Sequence, residues 1–267
     1  MLAGPALLFC PADRPERFAK AAAAADAVIL DLEDGVAREA KDRARAAVVA
    51  SSLDPARTIV RINPSSSGLW ESDLAALAET PYRTVMLPKA ESAGEAERLA
   101  GFEVIALCES PRGVRNADEL AASPNVVALS WGAEDLVAAL GGTSSRFASG
   151  EYRQYAHYAR SRVLIAAASE GKAAFDTVHL DIADQAGLRA EADDARASGF
   201  AGAMCIHPSQ VELIRAAFRP SADEVAWARG VLSAAAAASG GVFVFEGRMV
   251  DEPLLRQARQ LIARAHD

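Results

Sequence analysis

Two carboxylates follow two neighbouring apolar runs of the sequence. Glu109 ends the run of residues 104–109, and Asp135 comes shortly after the run of residues 126–132. Because the carboxyl ends of strands carry the active site in parallel α/β proteins, we expect these two side chains to share a divalent cation. Carboxylate oxygens with few nitrogen or sulfur donors nearby favour Mg²⁺ or Mn²⁺ over zinc. The pair therefore predicts a metal-dependent enzyme.

Further polar residues stand where the other apolar runs end. They are Asp31, Glu33, Asp34, Arg61, Asn63, Lys89, Glu134, Asp181 and His207. A site with this many carboxylates repels a bare anion but holds a divalent cation that in turn binds an anionic or carbonyl substrate. The alternative is that the carboxylates cap the following helices or pair with Arg61 and Lys89.

The two cations of this set predict different roles. Arg61 suits a substrate carbonyl or carboxylate because a guanidinium is always charged and donates in a fork. A buried salt bridge to Glu33 or Asp34 is compatible with that role. A lysine at a strand end could be a Schiff-base nucleophile, but the acidic neighbours of Lys89 should raise its pKa, which favours charge pairing.

Three weaker signals remain open. His207 precedes a proline, so a structural histidine of the loop fits as well as a catalytic one. The Gly-Gly-Thr-Ser-Ser stretch at residues 141–145 lacks the end of a P-loop, and no dinucleotide fingerprint is present, which disfavours nucleotide hydrolysis and hydride transfer. Arg14, Arg17 and Lys20 form a basic cluster that is either solvated surface or a contact for the phosphates of a long, cofactor-like substrate.

Eight short apolar runs must position these side chains. They span residues 7–11, 27–33, 58–63, 84–89, 104–109, 126–132, 177–181 and 202–207. Each run is continuous rather than alternating, as in strands that are buried on both faces of a parallel sheet. Alanine-rich stretches with helical spacing of charges separate the runs. A chain of 267 residues with this pattern predicts an α/β protein that folds as one (β/α)8 TIM barrel.

The pattern changes after Pro220. A helix is predicted over residues 222–238, followed by Ser239-Gly-Gly, a strand over residues 242–245, a turn at 246–248 and a last helix from Pro253. Because the barrel is complete before this point, we predict a catalytic barrel in residues 1–220 and a C-terminal helical extension in residues 221–267. The extension could cap the barrel or reach a neighbouring subunit.

Composition excludes some partners and suggests a compartment. The net charge of −8 disfavours nucleic acid and anionic membranes, which both attract basic surfaces. No run approaches the roughly 18 apolar residues of a membrane span, and Gly4 and Pro5 interrupt the apolar start, so neither a membrane anchor nor a signal peptide is expected. Cys10, Cys108 and Cys205 lie in apolar runs, which indicates buried reduced thiols and a cytoplasmic location.

Seven stretches of the sequence together resemble one known family. They are AVILDLEDGV at 27–36, VRIN at 60–63, MLPKAE at 86–91, Glu109, GAEDL at 132–136, IHP at 206–208 and GRMVDEP at 247–253. In this order they resemble the citrate lyase beta subunit-like proteins, relatives of malyl-CoA and citramalyl-CoA lyases. The resemblance runs from about residue 5 to the last helix.

The resemblance implies a TIM barrel that assembles as a homotrimer and cleaves a carbon–carbon bond in a β-hydroxyacyl thioester. It implies that Glu109 and Asp135 bind Mg²⁺ and that Arg61 contacts the substrate carbonyl or carboxylate. Mg²⁺ and Arg61 then stabilise the enolate that develops on cleavage.

The resemblance also implies contacts to the rest of the substrate. Residues that match Lys20, Ile206 and His207 lie along the coenzyme A moiety, and Arg14 belongs to the same basic cluster as Lys20. Asp251 matches an aspartate that the C-terminal segment of an adjacent subunit delivers as proton donor or acceptor.

Several alternatives stay open at this point. The basic cluster is not rich in lysine, and the sequence does not separate a coenzyme A thioester from a carrier-protein thioester. The hydroxyacyl group can be malyl, citramalyl, citryl or another, and the reaction can be cleavage, condensation or thioester hydrolysis. A metal-dependent aldolase for free 2-keto-3-hydroxy acids and a non-catalytic subunit that binds coenzyme A thioesters are the competing functions.

Overall fold

Eight parallel strands form a closed barrel in the order of the chain. The computed structural model describes residues 4–237 and 241–266. The barrel strands are β1 Ala6–Pro11, β2 Ala27–Asp31, β3 Thr58–Arg61, β4 Thr84–Leu87, β5 Glu103–Cys108, β6 Val126–Trp131, β7 Ala173–Asp176 and β8 Gly202–Cys205. Leu7 of β1 pairs with Ala27 of β2 and with Met204 of β8, which closes the barrel. The predicted TIM barrel is confirmed.

Helices connect successive strands on the outside of the barrel. They are α1 Phe18–Ala24, α2 Lys41–Val49, α3 Trp70–Ala78, α4 Ala93–Glu97, α5 Pro111–Arg115, α6 Ala117–Ala122, α7 Ala133–Ala139, α8 Gln154–Ser169, α9 Gln185–Ser198 and α10 Pro208–Phe218. α5 begins with a proline after Ser110, whose side chain accepts from the N–H of Gly113 at 3.1 Å.

The barrel interior is filled by apolar side chains from all eight strands. These are Leu7, Ala27, Ile29, Ile59, Met86, Ile105, Leu107, Ala128, Phe175 and Met204. Buried continuous runs of this kind explain why the strands lacked an alternating pattern in the sequence. Packing of the interior fixes where each strand ends and hence where the polar residues that follow it lie.

The seventh strand was predicted wrongly at residues 177–181. β7 instead spans Ala173–Asp176, because Ala173 pairs with Ala128 of β6 and Phe175 pairs with Gly202 of β8. The run Ala-Ala-Phe-Asp has low intrinsic β-propensity, so strand pairing overrides local preference here. The more β-like residues 177–181 form the loop that leaves the barrel.

The chain divides into two compact units between Arg215 and Ala216. The second unit contains α11 Ala222–Ala237, an antiparallel pair formed by β9 Phe243–Phe245 and β10 Arg248–Val250, and α12 Glu252–His266. Its buried core consists of Ala228, Val231, Val250 and Ala258. The predicted end of the helix at residue 238, and the following Ser239 and Gly240, lie outside the described residues.

None of the helices in the described part of the chain combines the length and the apolarity that a membrane-spanning helix needs. All three cysteines, Cys10, Cys108 and Cys205, are free and buried, as predicted. Burial raises the pKa of each of their thiols, that of Cys10 to about 11 and those of the other two to about 12. These thiols are therefore protonated at neutral pH.

Candidate active site

Consecutive strands bring carboxylates and cations to one end of the barrel. Asp31 and Arg61 are the last residues of β2 and β3 and lie opposite each other in register. Lys89 follows β4, and Glu109 follows β5 directly. Asp135 lies in the first turn of α7, after β6. The structure thus brings Glu109 and Asp135, which the sequence singled out for metal binding, to the same end of the barrel as Arg61.

Arg61 is held in one orientation by two carboxylates. Its Nε and Nη2 atoms donate to Asp31 at 2.7 and 2.6 Å, and its Nη1 lies 2.9 Å from Oε2 of Glu33. The guanidinium also lies over the ring of Phe9, 4.7 Å from its centre. Burial opposes its charge, but Asp31 and Glu33 raise the pKa of Arg61. Within the described residues, the guanidinium donates hydrogen bonds from Nε and from one N–H of Nη2, which leaves N–H groups on Nη1 and Nη2 for a ligand.

Of the two partners that the sequence suggested for Arg61, Glu33 is in contact with it, but the bidentate partner is Asp31. Asp31 also accepts from the backbone N–H groups of Glu33 and Gly35, at 2.8 Å each. A Cβ atom on Gly35 would collide with the Asp31 carboxylate, so the turn after β2 needs a glycine at this position. The signal for this turn was present in the spacing of aspartate and glycine, but the sequence interpretation did not use it.

Glu109 is a buried carboxylate, only 4% exposed. Its Oε1 accepts from the backbone N–H of Lys89 at 3.0 Å. A Cβ atom on Gly132 would lie 2.6 Å from the other oxygen, so the missing side chain of Gly132 makes room for the carboxylate. Burial, together with the charges of Asp135 and Glu33, raises the pKa of Glu109 to about 8.

The pair Glu109 and Asp135 fits Mg²⁺. A buried carboxylate among other carboxylates is stabilised by a divalent cation, and the 37% exposed side chain of Asp135 leaves room for water. Mg²⁺ is commonly held by one or two carboxylates with water completing its shell. Within residues 4–237 and 241–266, no group of three or more His, Cys, Asp or Glu side chains could hold a metal ion. A site here therefore relies on two carboxylates and water.

Lys89 lies among the acidic residues of the site. Its ammonium bonds to Glu33 and lies 3.4 Å from Asp34, 3.3 Å from Asp135 and 3.9 Å from Glu109. Burial opposes its charge, but the bond to Glu33 and the charge of Glu109 raise the pKa of Lys89, as predicted. A lysine that stays protonated is a poor nucleophile, which favours the charge-pairing role.

A cavity of about 330 Å³ adjoins these groups. Its charged side includes Arg61, Glu109 and Asp135. Its apolar side includes Phe9, Leu107, Trp131, Val178, Leu180, Met204 and Ile206. A concave site with an apolar wall and a few converging polar groups is typical of small-molecule binding.

Trp131 is fixed in the cavity wall by a network that the sequence did not predict. Its Nε1 donates to Asp176 at 2.6 Å, and Arg160 donates to both oxygens of the same carboxylate. Asp176 is the last residue of β7, whereas the sequence placed the end of this strand at Asp181. Asp181 is exposed and accepts from the N–H of Ala183 at 2.9 Å, so it stabilises a turn.

The residues predicted along coenzyme A follow β1 and β8, which are neighbouring strands of the barrel. Ile206 lines the cavity. His207 is exposed and its Nδ1 lies 2.8 Å from Oγ of Ser209, as in the structural alternative for this residue. Arg14 and Lys20 are exposed, the first after β1 and the second on α1, and neither lines the cavity.

Asp251 belongs to the second compact unit. It directly precedes α12, and its Oδ1 lies 3.4 Å from the N–H of Leu254, which it faces as an N-cap. Its proposed part in proton transfer stays a prediction.

Comparison with known proteins identifies relatives over almost the whole chain. The family model described as HpcH/HpaI aldolase/citrate lyase matches residues 6–103 and 100–208. A citrate lyase subunit beta-like protein of Mycobacterium tuberculosis (strain CDC 1551 / Oshkosh) is 57% identical over 263 residues, which are 98% of this chain and 96% of the relative. The mitochondrial citramalyl-CoA lyase of Homo sapiens is 31% identical over 293 residues, covering 97% of this chain and 85% of the relative.

The solved structures include a near match of the fold. A crystal structure of CitE from M. tuberculosis, in complex with magnesium, acetoacetate and coenzyme A, superposes with a TM-score of 0.95 at 56% identity and covers 99% of each chain. Both the family model and the full-length relatives agree with the resemblance found in the sequence. The chain therefore belongs to the HpcH/HpaI aldolase/citrate lyase family and, within it, to the citrate lyase beta subunit-like lyases.

Proposed function

We propose that the protein is a Mg²⁺-dependent carbon–carbon lyase that acts on a β-hydroxyacyl thioester of coenzyme A. The substrate is of the citramalyl-CoA, malyl-CoA or citryl-CoA type, and the products are acetyl-CoA and a keto acid. The reverse condensation and the hydrolysis of the thioester would use the same site. The observation that carries this proposal is the buried Glu109 and the partly exposed Asp135, which line one cavity together with the charged Arg61. The magnesium, acetoacetate and coenzyme A bound by the M. tuberculosis relative support it.

Glu109 and Asp135 would hold the Mg²⁺ ion. When bound there, Mg²⁺ supplies a Lewis acid for oxygen atoms of the substrate. The protein keeps Glu109 in place through the backbone N–H of Lys89 and through the space left by Gly132. Glu109 directly follows β5 and Asp135 lies in the first turn of α7, so both would be held by barrel elements when the ion binds.

Arg61 stabilises the negative charge that develops on the substrate during cleavage. As the hydroxyl proton leaves to solvent, the electrons of the O–H bond form a carbonyl on the β carbon. The electron pair of the broken bond between the α and β carbons passes to the thioester as an enolate. The N–H groups on Nη1 and Nη2 that Asp31 and Glu33 do not use can donate to a substrate oxygen in this step. Asp31 prevents the guanidinium from rotating away.

Asp251 is proposed to transfer the proton at the former α carbon. Protonation there converts the enolate into the acetyl thioester, and the reverse reaction needs the same group as base. In this proposal the protein is a homotrimer, and the C-terminal unit of one subunit packs on its neighbour and brings Asp251 to the neighbour's site. Light scattering coupled to size-exclusion chromatography tests the trimer directly.

Arg14, Lys20, Ile206 and His207 are proposed to contact coenzyme A. Arg14 and Lys20 are exposed cations in a protein of net charge −8, which suits the phosphates of a nucleotide. Ile206 offers an apolar surface at the cavity edge.

A cleavage assay tests the function. Malyl-CoA, citramalyl-CoA and citryl-CoA are each incubated with the protein and Mg²⁺, and acetyl-CoA release is followed with and without EDTA. Release that EDTA abolishes supports the proposal and identifies the substrate. If none of the three is cleaved and a free 2-keto-3-hydroxy acid is cleaved instead, the protein is an aldolase. Magnesium and coenzyme A binding without turnover of any substrate would indicate the non-catalytic subunit.

A further inference from the structure

The ammonium of Lys89 lies among the carboxylates that are proposed to hold the metal. It is 3.3 Å from Oδ1 of Asp135 and 3.9 Å from Oε1 of Glu109. On its other side it bonds to Glu33 and lies 3.4 Å from Asp34. One monovalent cation therefore contacts both proposed metal ligands and two carboxylates that are not proposed as ligands.

We propose that Lys89 is a built-in competitor of the divalent cation for Glu109 and Asp135, and that it lowers the affinity of the site for Mg²⁺. This inference rests on the proposed function, because it assumes that these two carboxylates bind the metal. A positive charge at such distances from ligand oxygens attracts them to itself and repels an incoming cation.

The contacts of Lys89 allow it to give up the metal ligands without losing its charge partners. Its bond to Glu33 and its approach to Asp34 do not involve Glu109 or Asp135. Since the side chain is 31% exposed and flexible, a small movement toward Glu33 and Asp34 releases the two ligands. Metal entry is then an exchange of one cation for another.

Arg61 cannot compete with the metal ion in this way. Its guanidinium already contacts Asp31 at two points and Glu33 at a third. The fixed fork of arginine also holds it in that orientation, whereas the ammonium of lysine is a compact charge on a flexible chain. Lys89 is thus the mobile cation of the pair.

The backbone of residue 89 keeps a separate role. Lys89 has a φ angle of 49°, in the left-handed region, and its N–H donates to Glu109 at 3.0 Å. Substitution of the side chain preserves this N–H, so a change in metal affinity reports on the ammonium rather than on a lost hydrogen bond. Asparagine tolerates positive φ better than most residues and makes a suitable neutral replacement.

Calorimetric titration of the full chain with Mg²⁺ tests the proposal at fixed pH and low ionic strength. We expect Lys89→Met and Lys89→Asn to bind Mg²⁺ at least fivefold more tightly than the wild type, and Lys89→Arg, which keeps the charge, to stay within about twofold to threefold. Melting curves with and without Mg²⁺ provide a second readout: the neutral variants should gain more stability from a given Mg²⁺ concentration, as tighter binding to the native state requires.

The outcomes separate the two proposals. If the wild type binds Mg²⁺ and the neutral variants bind it equally or more weakly, Lys89 does not compete and the lyase assignment stands. If neither the wild type nor the variants bind Mg²⁺, the metal site itself is wrong. Two neutral variants are used so that a folding defect in one, detected by circular dichroism, leaves the other to decide the question.

Discussion

The carboxylate of Asp31 receives four hydrogen bonds, two from Arg61 and two from the backbone of the turn that follows β2. The turn fixes the carboxylate, and the carboxylate fixes the guanidinium. The position of Arg61 in the site is therefore determined by a residue of the neighbouring strand.

Asp31→Asn should reduce catalysis while leaving the metal in place. The amide keeps the size of the side chain but loses its charge and one of the acceptors for Arg61, so the guanidinium is held less firmly. We expect kcat/KM to fall roughly 10- to 100-fold, which corresponds to about 1.4–2.7 kcal/mol of transition-state stabilisation. Mg²⁺ affinity measured by calorimetry should stay close to the wild type. The exposed Glu39→Gln serves as control, and equal effects of both substitutions would contradict the positioning role.

Gly132→Ala should weaken Mg²⁺ binding. The added methyl would lie 2.6 Å from one oxygen of Glu109 and 3.0 Å from its Cβ, so the carboxylate must move. We expect at least a tenfold loss of Mg²⁺ affinity, since a displaced ligand no longer meets the strict geometry of the ion.

Gly94→Ala is the matched control for this substitution. Nothing lies within 4 Å of a Cβ atom at Gly94, which is in α4, so alanine should be neutral or slightly stabilising there. Unchanged Mg²⁺ affinity in Gly132→Ala would mean that Glu109 is not a ligand.

Mg²⁺ affinity should increase with pH up to about 8. The pKa of Glu109 is raised to about 8, so below that pH the cation must displace a proton from the carboxyl group. The dissociation constant should therefore rise up to about tenfold per unit as the pH falls below 8, and level off above it. Calorimetric titrations in buffers of different ionisation enthalpy measure how many protons are released for each Mg²⁺ ion bound. A dissociation constant that is flat between pH 6 and pH 9 would show that Glu109 does not titrate in this range.

The barrel and the position of Glu109 and Asp135 at one end of it could be predicted from the sequence because both depend on where the strands end. Buried strands are continuous apolar runs, and Glu109 and Asp135 come shortly after two of them, whichever way the side chains pack. The contact of Arg61 with Glu33 was among the predictions, but its bidentate partner Asp31 was not, since the choice among the carboxylates after β2 depends on how the turn folds. β7 was misplaced because its position depends on pairing with β6 and β8, which local propensity does not encode.

Asp251→Asn should lower kcat by roughly two to four orders of magnitude, as expected for loss of a general acid or base. Asparagine retains an oxygen that can face the N–H of Leu254 at the start of α12, so the helix cap is preserved and stability should change little. Mg²⁺ and thioester binding should persist. The neighbouring Glu252→Gln, which loses only an exposed ion pair with Arg259, is the control and should keep nearly full activity.

Subunit mixing can then decide whether Asp251 acts on its own barrel or on a neighbour. Glu109→Gln removes the metal ligand from one subunit, and Asp251→Asn removes the proton-transfer group from another, so each homo-oligomer is inactive. If the site combines the barrel of one subunit with Asp251 of the next, a mixed oligomer contains some sites with both intact residues, and activity returns on mixing. If both residues must come from the same chain, no mixture can assemble an intact site. Activity after unfolding and refolding the two variants together, compared with each refolded alone, measures the difference.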